Sequence, residues 1–316
     1  MTEKRYKITK PGVYNLPAAI YHADPCPTPS LSRSIAATLL KETAAHAYSE
    51  HSRLGDTREV DITKGMDFGS AAHAVMLCDD DAQIRIVQAP DFKSFAAKRA
   101  RDEAHQNGQI PILQKHYEMV VEMVSAGRDQ LTKHQTAYAA FLIGKPEQTI
   151  IWFEKVDGYK LWFRIRLDWL PPLGGWLDDY KTTQQSSKPS VWTARHLYPE
   201  MLDLQAALYL RGYEKVLGVR AAGFRYVVQE QKPPWSLSTV VLDAGDLHQA
   251  TRNLEYSIKH FAWSSQNKRW PGHQNHDYVA SRPSWREIEA DDRDDQESAL
   301  GRDGMFKQFM EWQKPL

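Results

Sequence analysis

An α/β fold, with a central mixed sheet flanked by helices, is what the sequence predicts, and three observations carry that prediction. From Thr149 to Thr183 the chain reads TIIWFEKVDGYKLWFRIRLDWLPPLGGWLDDYKTT, three runs rich in Ile, Trp, Phe, Tyr and Leu. Asp157-Gly158 and Pro171-Pro172-Leu173-Gly174-Gly175 separate the runs, and aromatic runs broken by such turn residues predict an antiparallel meander. Stretches with helical periodicity stand on both sides of it. Two more strand-like runs, Gly223 to Glu230 and Leu237 to Asp243, follow and are joined by a Pro233-Pro234 turn.

Taken in order, Gly12 to Ser30 is rich in Pro and Tyr and reads as an extended entry segment. A helix is expected from about Ser32 to Ser52, with Ile35, Leu39, Leu40, Ala44 and Ala47 on its apolar face and Ser32 or Ser34 as cap. The polar stretch His51 to Lys64 reads as a surface connection. Phe68 to Leu77 is a helix of small residues that must pack closely, and it bears one imidazole, His73. Ile84 to Gln88 reads as a strand. Lys93 to Arg101 reads as a helix whose bases form a solvated face in preference to a phosphate-contacting patch. Pro111 is expected to start a long amphipathic helix to about Leu142, with a break near Gly127.

Beyond the meander, Lys188-Pro189-Ser190 precede a second helical block, and Tyr198-Pro199-Glu200 start a helix that runs to about Leu217. A further helix is expected from Gly245 to Trp263. Trp270 to Trp285 is irregular and aromatic; His273 and His276 within it lack the carboxylate or thiolate pattern of a metal pair. Met305 to Trp312 is a short amphipathic piece, and no repeat at solenoid periods is visible. The expected organisation is one domain over residues 1–286 and an acidic, flexible tail over 287–316.

At 316 residues the chain is long enough for a sizeable core. Its hydrophobic content of 42% and charged content of 25% are those of a globular protein. No run approaches the ~20 apolar residues of a membrane span. The start, MTEKRYKITKPGVY, has no apolar signal stretch, and two cysteines without metal-type spacing suit a reducing compartment, so a cytoplasmic protein is expected. The formal charge is zero, but Glu287 to Leu316 holds nine acids and four bases, which leaves +5 on the rest. That allows a local nucleic-acid channel without advertising one.

The chemistry concentrates on the meander. Side chains alternate along a strand, so Asp179 and Lys181 share one face and Tyr180 takes the other. A second hairpin that folds Asp168 opposite Asp179 brings two carboxylates and one ammonium into a small patch. Carboxylates so placed repel each other unless a cation lies between them, and oxygen ligands of this type suit Mg²⁺ or Mn²⁺. A charged lysine is no ligand; it orients a water or offsets charge that develops on a phosphate. A surface salt bridge is the plainer reading of an Asp-x-Lys sequence taken alone. Glu154 upstream is open to either a place in the ligand field or a structural salt bridge.

This Asp, spacer, Asp-x-Lys pattern resembles the PD-(D/E)xK nuclease superfamily. Gly69-x-x-x-His73 ahead of it and Gln205-x-x-x-Tyr209 after it are similar to features of the RecB- and RecE-like branches. Tyr21-His22-Ala23-Asp24, the Ser30 to Ser34 run, Trp270-Pro271-Gly272 and Pro283-Ser284-Trp285 resemble pieces of RecE-type phage and prophage exonucleases. The likeness thus spans roughly Gly12 to Trp285. Leu167 stands where the superfamily has its proline.

The resemblance implies a restriction-endonuclease-like fold. It implies His73, Asp168, Asp179 and the Tyr180 backbone carbonyl as ligands for one or two Mg²⁺ or Mn²⁺ ions, and Lys181 as the catalytic lysine. Gln205 and Tyr209 are implied as the accessory pair. The implied activity is degradation of linear double-stranded DNA from an end, 5′ to 3′. It leaves 3′ single strands for a phage-type annealing protein in recombination, and relatives assemble as trimer or tetramer rings. An endonuclease on the same fold, and a non-catalytic DNA-binding recombination scaffold, are the competing readings.

Overall fold

The computed structural model describes residues 7–55, 64–78, 83–273, 275, 277–281 and 283–300. The chain divides into two compact units, Met1–Gly272 and His273–Leu316. In the first, β1 (Gly12–Asn15) and the short helix α1 (Ala18–His22) lead to β2 (Ser30–Leu31). Next come α2 (Arg33–Lys41), α3 (Ala44–Glu50) and α4 (Lys64–His73), which continues into a wider π-type turn over Ala74–Cys78. β3 (Ile84–Val87), α5 (Phe95–Gln106), β4 (Ile110–Leu113) and α6 (Gln114–Thr132) follow. β5 (Lys145–Val156), β6 (Tyr159–Leu170) and β7 (Trp176–Thr183) correspond to the three predicted runs. The unit closes with α7 (Pro189–Trp192), α8 (Leu202–Leu217), β8 (Gly223–Glu230), β9 (Leu237–Val241) and α9 (Ala244–Asn267). The second unit contains α10 (Ser284–Leu300), which takes up the acidic run from Glu287.

The first hairpin forms as its turn dictates. Asp157 (φ 47°) and Gly158 (φ 83°) both take positive φ, the two-residue turn that matches strand twist, and β5 pairs antiparallel with β6 from Val156↔Tyr159 to Lys145↔Leu170. The second hairpin does not form. β7 instead runs parallel to β8, from Trp176↔Gly223 to Thr183↔Glu230, and β9 closes that sheet antiparallel to β8. The Tyr180 N–H donates to the Asp168 carboxylate at 2.8 Å, so a donor that a β6–β7 ladder could use is given to a side chain. The sheets among the described residues are therefore β1-β5-β6-β2, β7-β8-β9 and the parallel pair β3-β4.

Helices cover both faces of β7 and β8, in the layered manner of α/β folds. On one face, Leu177, Phe224, Tyr226 and Val228 join Leu204 and Leu208 of α8, Leu254 and Ile258 of α9, and Ile35 of α2 in the largest core. On the other face, Tyr180 and Val227 pack with Ala71 and Ala72 of α4, Val120 and Met123 of α6, and Trp169. Successive residues of β8 thus serve opposite cores, as strand alternation requires.

Four further expectations are corrected. The single helix over Ser32 to Ser52 is two, because the Thr43 side chain accepts from the His46 N–H and starts α3 afresh. His51 is not surface: it is buried, with Nε2 3.0 Å from the Ser30 carbonyl. Pro111 lies in β4 opposite Arg85, and the helix begins only at Gln114. That helix is unbroken at Gly127, where a Cβ would lie 2.6 Å from the Gln229 side chain; close packing, not a kink, explains the glycine. His276 and the Met305 to Trp312 piece lie outside the described residues.

Candidate active site

Strand alternation holds at β7: Asp178 turns to Arg225, while Asp179 and Lys181 turn together toward α8. Asp179 is buried and accepts from Gln205 Nε2 at 2.6 Å on Oδ1, and its Oδ2 forms an ion pair with Lys181 Nζ. Asp168, from the end of β6, reaches the same place and is fixed by the Tyr180 N–H. Asp168, Asp179, Lys181, Gln205 and Tyr209 line one pocket of about 270 Å³. The second hairpin was the wrong route to this juxtaposition, but the juxtaposition is there.

His73, the last residue of α4, approaches from the opposite layer. Its Nδ1 lies 3.6 Å from Asp168 Oδ2, and its ring packs 5.2 Å from that of Tyr180. Small residues make this approach possible: Ala71 and Ala72 are fully buried, and a Cβ on Gly69 would lie 3.5 Å from Thr182 Oγ1.

A residue that the sequence reading missed completes the group. Ligand atoms of His73, Glu147 and Asp168 all lie within 4.8 Å of one another. Glu147 sits on β5 with φ 56°, a left-handed conformation uncommon outside glycine, of the kind that costs about 1–3 kcal/mol and gathers at functional sites. Its Oε2 also meets Arg166 Nε. The signal was available. A two-residue turn at Asp157-Gly158 sets Pro146 against Trp169 and Gln148 against Leu167, which leaves Glu147 facing Asp168. Glu154, the acid singled out from the sequence, instead gives both oxygens to Arg211, at 2.7 and 2.8 Å, and belongs to a structural ion pair.

Burial and close-set charges shift the titrating groups of this site. Burial, then Asp179 and Glu147, push the Asp168 carboxyl well above its usual pKa, against the pull of Lys181 and the Tyr180 N–H. Burial and the Lys181 charge lower His73 to about 4, so its imidazole is neutral and able to act as a ligand. Burial would depress Lys181, but Asp179 and Asp168 outweigh it and hold the ammonium above its usual value. Burial raises the Tyr209 phenol well above its usual range, so it stays protonated. One carboxylate oxygen each of Glu147 and Asp168 and the neutral His73 imidazole lie within 4.8 Å of one another, and that donor set fits Mg²⁺ or Mn²⁺.

Residues 34–281 match the sequence profile of a family described as a PDDEXK-like domain of unknown function, DUF3799. The chain belongs to this PDDEXK-like family. Among solved structures, a candidate exonuclease from Eubacterium rectale is similar over 81% of this chain and 90% of that one, with 12% identity and a TM-score of 0.50. That likeness is one of fold. A second structure, that of SSO0001, covers 60% of this chain and 84% of that one at 12% identity, with a TM-score of 0.24, too low to bear on the fold. No curated protein sequence matches the chain. The mixed sheets flanked by helices are thus the PDDEXK-like arrangement, and family and fold together support a nuclease. Tyr21, His22, Ser32 and Arg33, which precede the matched residues, and Ser34, the first of them, come from the two N-terminal pieces singled out in the sequence and line the same pocket as Asp168 and Lys181. Trp270 packs against Tyr48 and Phe261, and the Pro271 carbonyl accepts from Ala45 N–H, so that piece closes the first unit away from the pocket lining. Among the described residues no helix is long and apolar enough to cross a membrane.

Proposed function

We propose that this chain is a divalent-metal-dependent deoxyribonuclease that degrades linear double-stranded DNA from an end, 5′ to 3′. The observation that carries the reading is the convergence of His73, Glu147 and Asp168 within 4.8 Å beside the Asp179–Lys181 ion pair. His73, Asp168, Asp179 and the Tyr180 carbonyl are the proposed ligands of Mg²⁺ or Mn²⁺, with Glu147 added. A cation held there supplies an acidified water and neutralises charge on the phosphate.

The chain's own groups do the rest. Lys181 keeps its proton and offsets the charge that builds on the phosphate oxygens. Gln205 fixes Asp179 through its Nε2, and the Tyr180 N–H fixes Asp168, so neither carboxylate must reorganise when the substrate arrives. Tyr209, a buried and protonated phenol on the pocket wall, is the proposed hydrogen-bond donor to the DNA. The 3′ single strands left behind suit a single-strand annealing protein in phage-type recombination. A closed homo-oligomeric ring, trimer or tetramer, suits processive action.

The test is digestion of end-labelled linear and covalently closed circular duplex of equal length with Mg²⁺, Ca²⁺ or EDTA. Linear DNA should disappear in Mg²⁺ and persist in EDTA. Ca²⁺ should permit binding with little cleavage, because its looser geometry positions water and phosphate poorly. Circles cut as fast as linear molecules replace the end-dependent reading with an endonuclease; cleavage in EDTA removes the metal.

A further inference from the structure

The pocket that holds Asp168 and Lys181 has a second wall, and that wall is cationic. Ser32, Arg33 and Ser34, at the start of α2, line it together with Arg164 of β6. α2 is nine residues long, and its N-cap Ser32 makes no side-chain cap bond; the Ser32 hydroxyl instead lies 3.1 Å from that of Ser34. A helix start left without a side-chain cap carries partial positive charge and spare N–H donors.

Arg164 is only 5% exposed, and its Nε is buried without a hydrogen-bond partner; the Nε of Arg33 is in the same condition. Behind the wall, Arg164 NH1 donates to Ser30 Oγ at 2.6 Å and to the Ser30 carbonyl at 3.1 Å, and it lies 3.4 Å from Asp24 Oδ1. Asp24 is also 3.8 Å from Arg53. One carboxylate therefore serves two guanidiniums, while Arg33, whose NH2 donates to the Glu200 carbonyl and whose Nε is left over, adds a third positive charge on the pocket side. Asp179 pairs with Lys181 and accepts from Gln205, and Asp168 accepts from the Tyr180 N–H; among the described residues neither forms an ion pair with Arg33 or Arg164. A buried cation with incomplete compensation is costly, and an anion in the pocket removes that cost. Guanidinium forks, serine hydroxyls and a helix start together match the tetrahedral oxygens of a phosphate.

We propose that this wall is a phosphate subsite, which grips a nucleic-acid phosphate next to the scissile one through Arg33, Arg164 and the N-terminus of α2. The inference rests on the nuclease reading above and gives it a substrate-positioning element. Arg164 acts from a fixed position because Asp24 and Ser30 hold its other edge.

Binding of a short linear duplex in Ca²⁺ at increasing salt tests it, with wild type, Arg33→Gln and Arg164→Lys compared. Arg33→Gln, which removes a charge, should weaken binding by about tenfold and flatten the slope of log Kd against log salt by about 1, while Arg164→Lys, which keeps the charge but loses the guanidinium fork, should weaken binding with the slope nearly unchanged. Arg164→Lys disturbs a buried cluster, so its circular dichroism is checked first; Arg33, partly exposed in the first turn of α2, keeps the test valid if that variant fails to fold.

Methylphosphonate linkages, introduced one at a time, then locate the partner: at one linkage wild type and Arg33→Gln should bind alike. Removal of terminal phosphates is the parallel arm. Convergence there identifies a terminal monoester, convergence at an internal linkage identifies a diester, and either supports the subsite. Equal salt slopes, with equal responses to every neutral linkage and to dephosphorylation, overturn it. A wild type that binds DNA but never cuts it removes the nuclease reading and leaves this result to stand. A wild type that binds no DNA overturns both.

Discussion

Asp178 and Asp179 are neighbours on β7, both buried, and their surroundings separate stability from chemistry. Asp178 faces Arg225, whose Nε lies 2.6 Å away and whose NH1 donates to the Thr136 carbonyl at 2.8 Å. That pair is closed: each charge meets a partner, and nothing is left for a ligand. Asp179 faces Asp168, a second carboxylate driven toward protonation by burial and by Asp179 itself. One Lys181 ammonium must serve both. A strand that tolerates such an arrangement on one face, with a satisfied ion pair on the other, holds the first arrangement for something other than folding.

The largest effect expected from this contrast is on stability and comes from the closed side. Arg225→Met should leave Asp178 buried and uncompensated and cost about 3–5 kcal/mol in urea denaturation. Asp178→Asn combined with Arg225→Met should recover most of it. A single variant within about 1 kcal/mol of wild type would mean that the pair is dispensable and the contrast is wrong.

On the open side the expected effect is on rate. Asp179→Ala and Lys181→Ala should each lower cleavage of linear duplex on the order of 10²-fold or more. Asp179→Asn should keep the Gln205 contact and relieve repulsion with Asp168, so its urea midpoint should equal or exceed that of wild type. Near wild-type turnover in these variants would take both residues out of catalysis.

These contrasts also show how far the sequence carried. The strands, the shared face of Asp179 and Lys181, and the position of Gln205 and Tyr209 on one side of α8 follow from local periodicity; Asp168, Asp179, Lys181, Gln205 and Tyr209 line one pocket, whereas His73 reaches Asp168 from the opposite layer without joining that lining. The partner of β7 did not follow. Pro171 to Gly175 has the composition of a hairpin turn, and nothing local announces that β8, some forty residues on, outcompetes β6 for the β7 edge. Parallel pairing is a tertiary choice, made here by the packing of Tyr226 and Val228 against α8 and α9. Glu147 lies just before the first aromatic run, which starts at Thr149, and only the register set by the Asp157-Gly158 turn brings it opposite Asp168. His51 looked like surface because its partners, Ser30 and Asp24, are distant in sequence.

Glu147 allows a sharper and smaller test. As a ligand it should contribute to cation affinity more than to folding, although Arg166 also pairs with its carboxylate. Glu147→Gln should weaken Mn²⁺ binding by calorimetry on the order of tenfold, the scale seen when the shell of a metal site is disturbed. Unchanged Mn²⁺ affinity would return Glu147 to a structural role and leave His73, Asp168 and Asp179 as the proposed ligands.

The smallest effect is expected at Glu154, on the same strand as Glu147 but with the opposite character. Burial tends to raise its carboxyl, but the hydrogen bonds from Arg211 and from Trp152 Nε1, together with the charges of Arg211 and Lys215, prevail and hold it below its usual value. A depressed carboxylate contributes stability that is fully present above the unfolded value of 4.5 and is lost as pH falls through the lower folded value. The wild-type urea midpoint should therefore decline from about pH 5 downward, and the Glu154→Gln variant should start lower by on the order of 1 kcal/mol and decline less steeply. Its Mn²⁺ affinity should match wild type, because both carboxylate oxygens already belong to Arg211. If Glu154→Gln instead weakens Mn²⁺ binding as much as Glu147→Gln does, the division of β5 into one ligand and one structural acid fails, and the cation site extends further along the strand than the Glu147–Asp168 register implies.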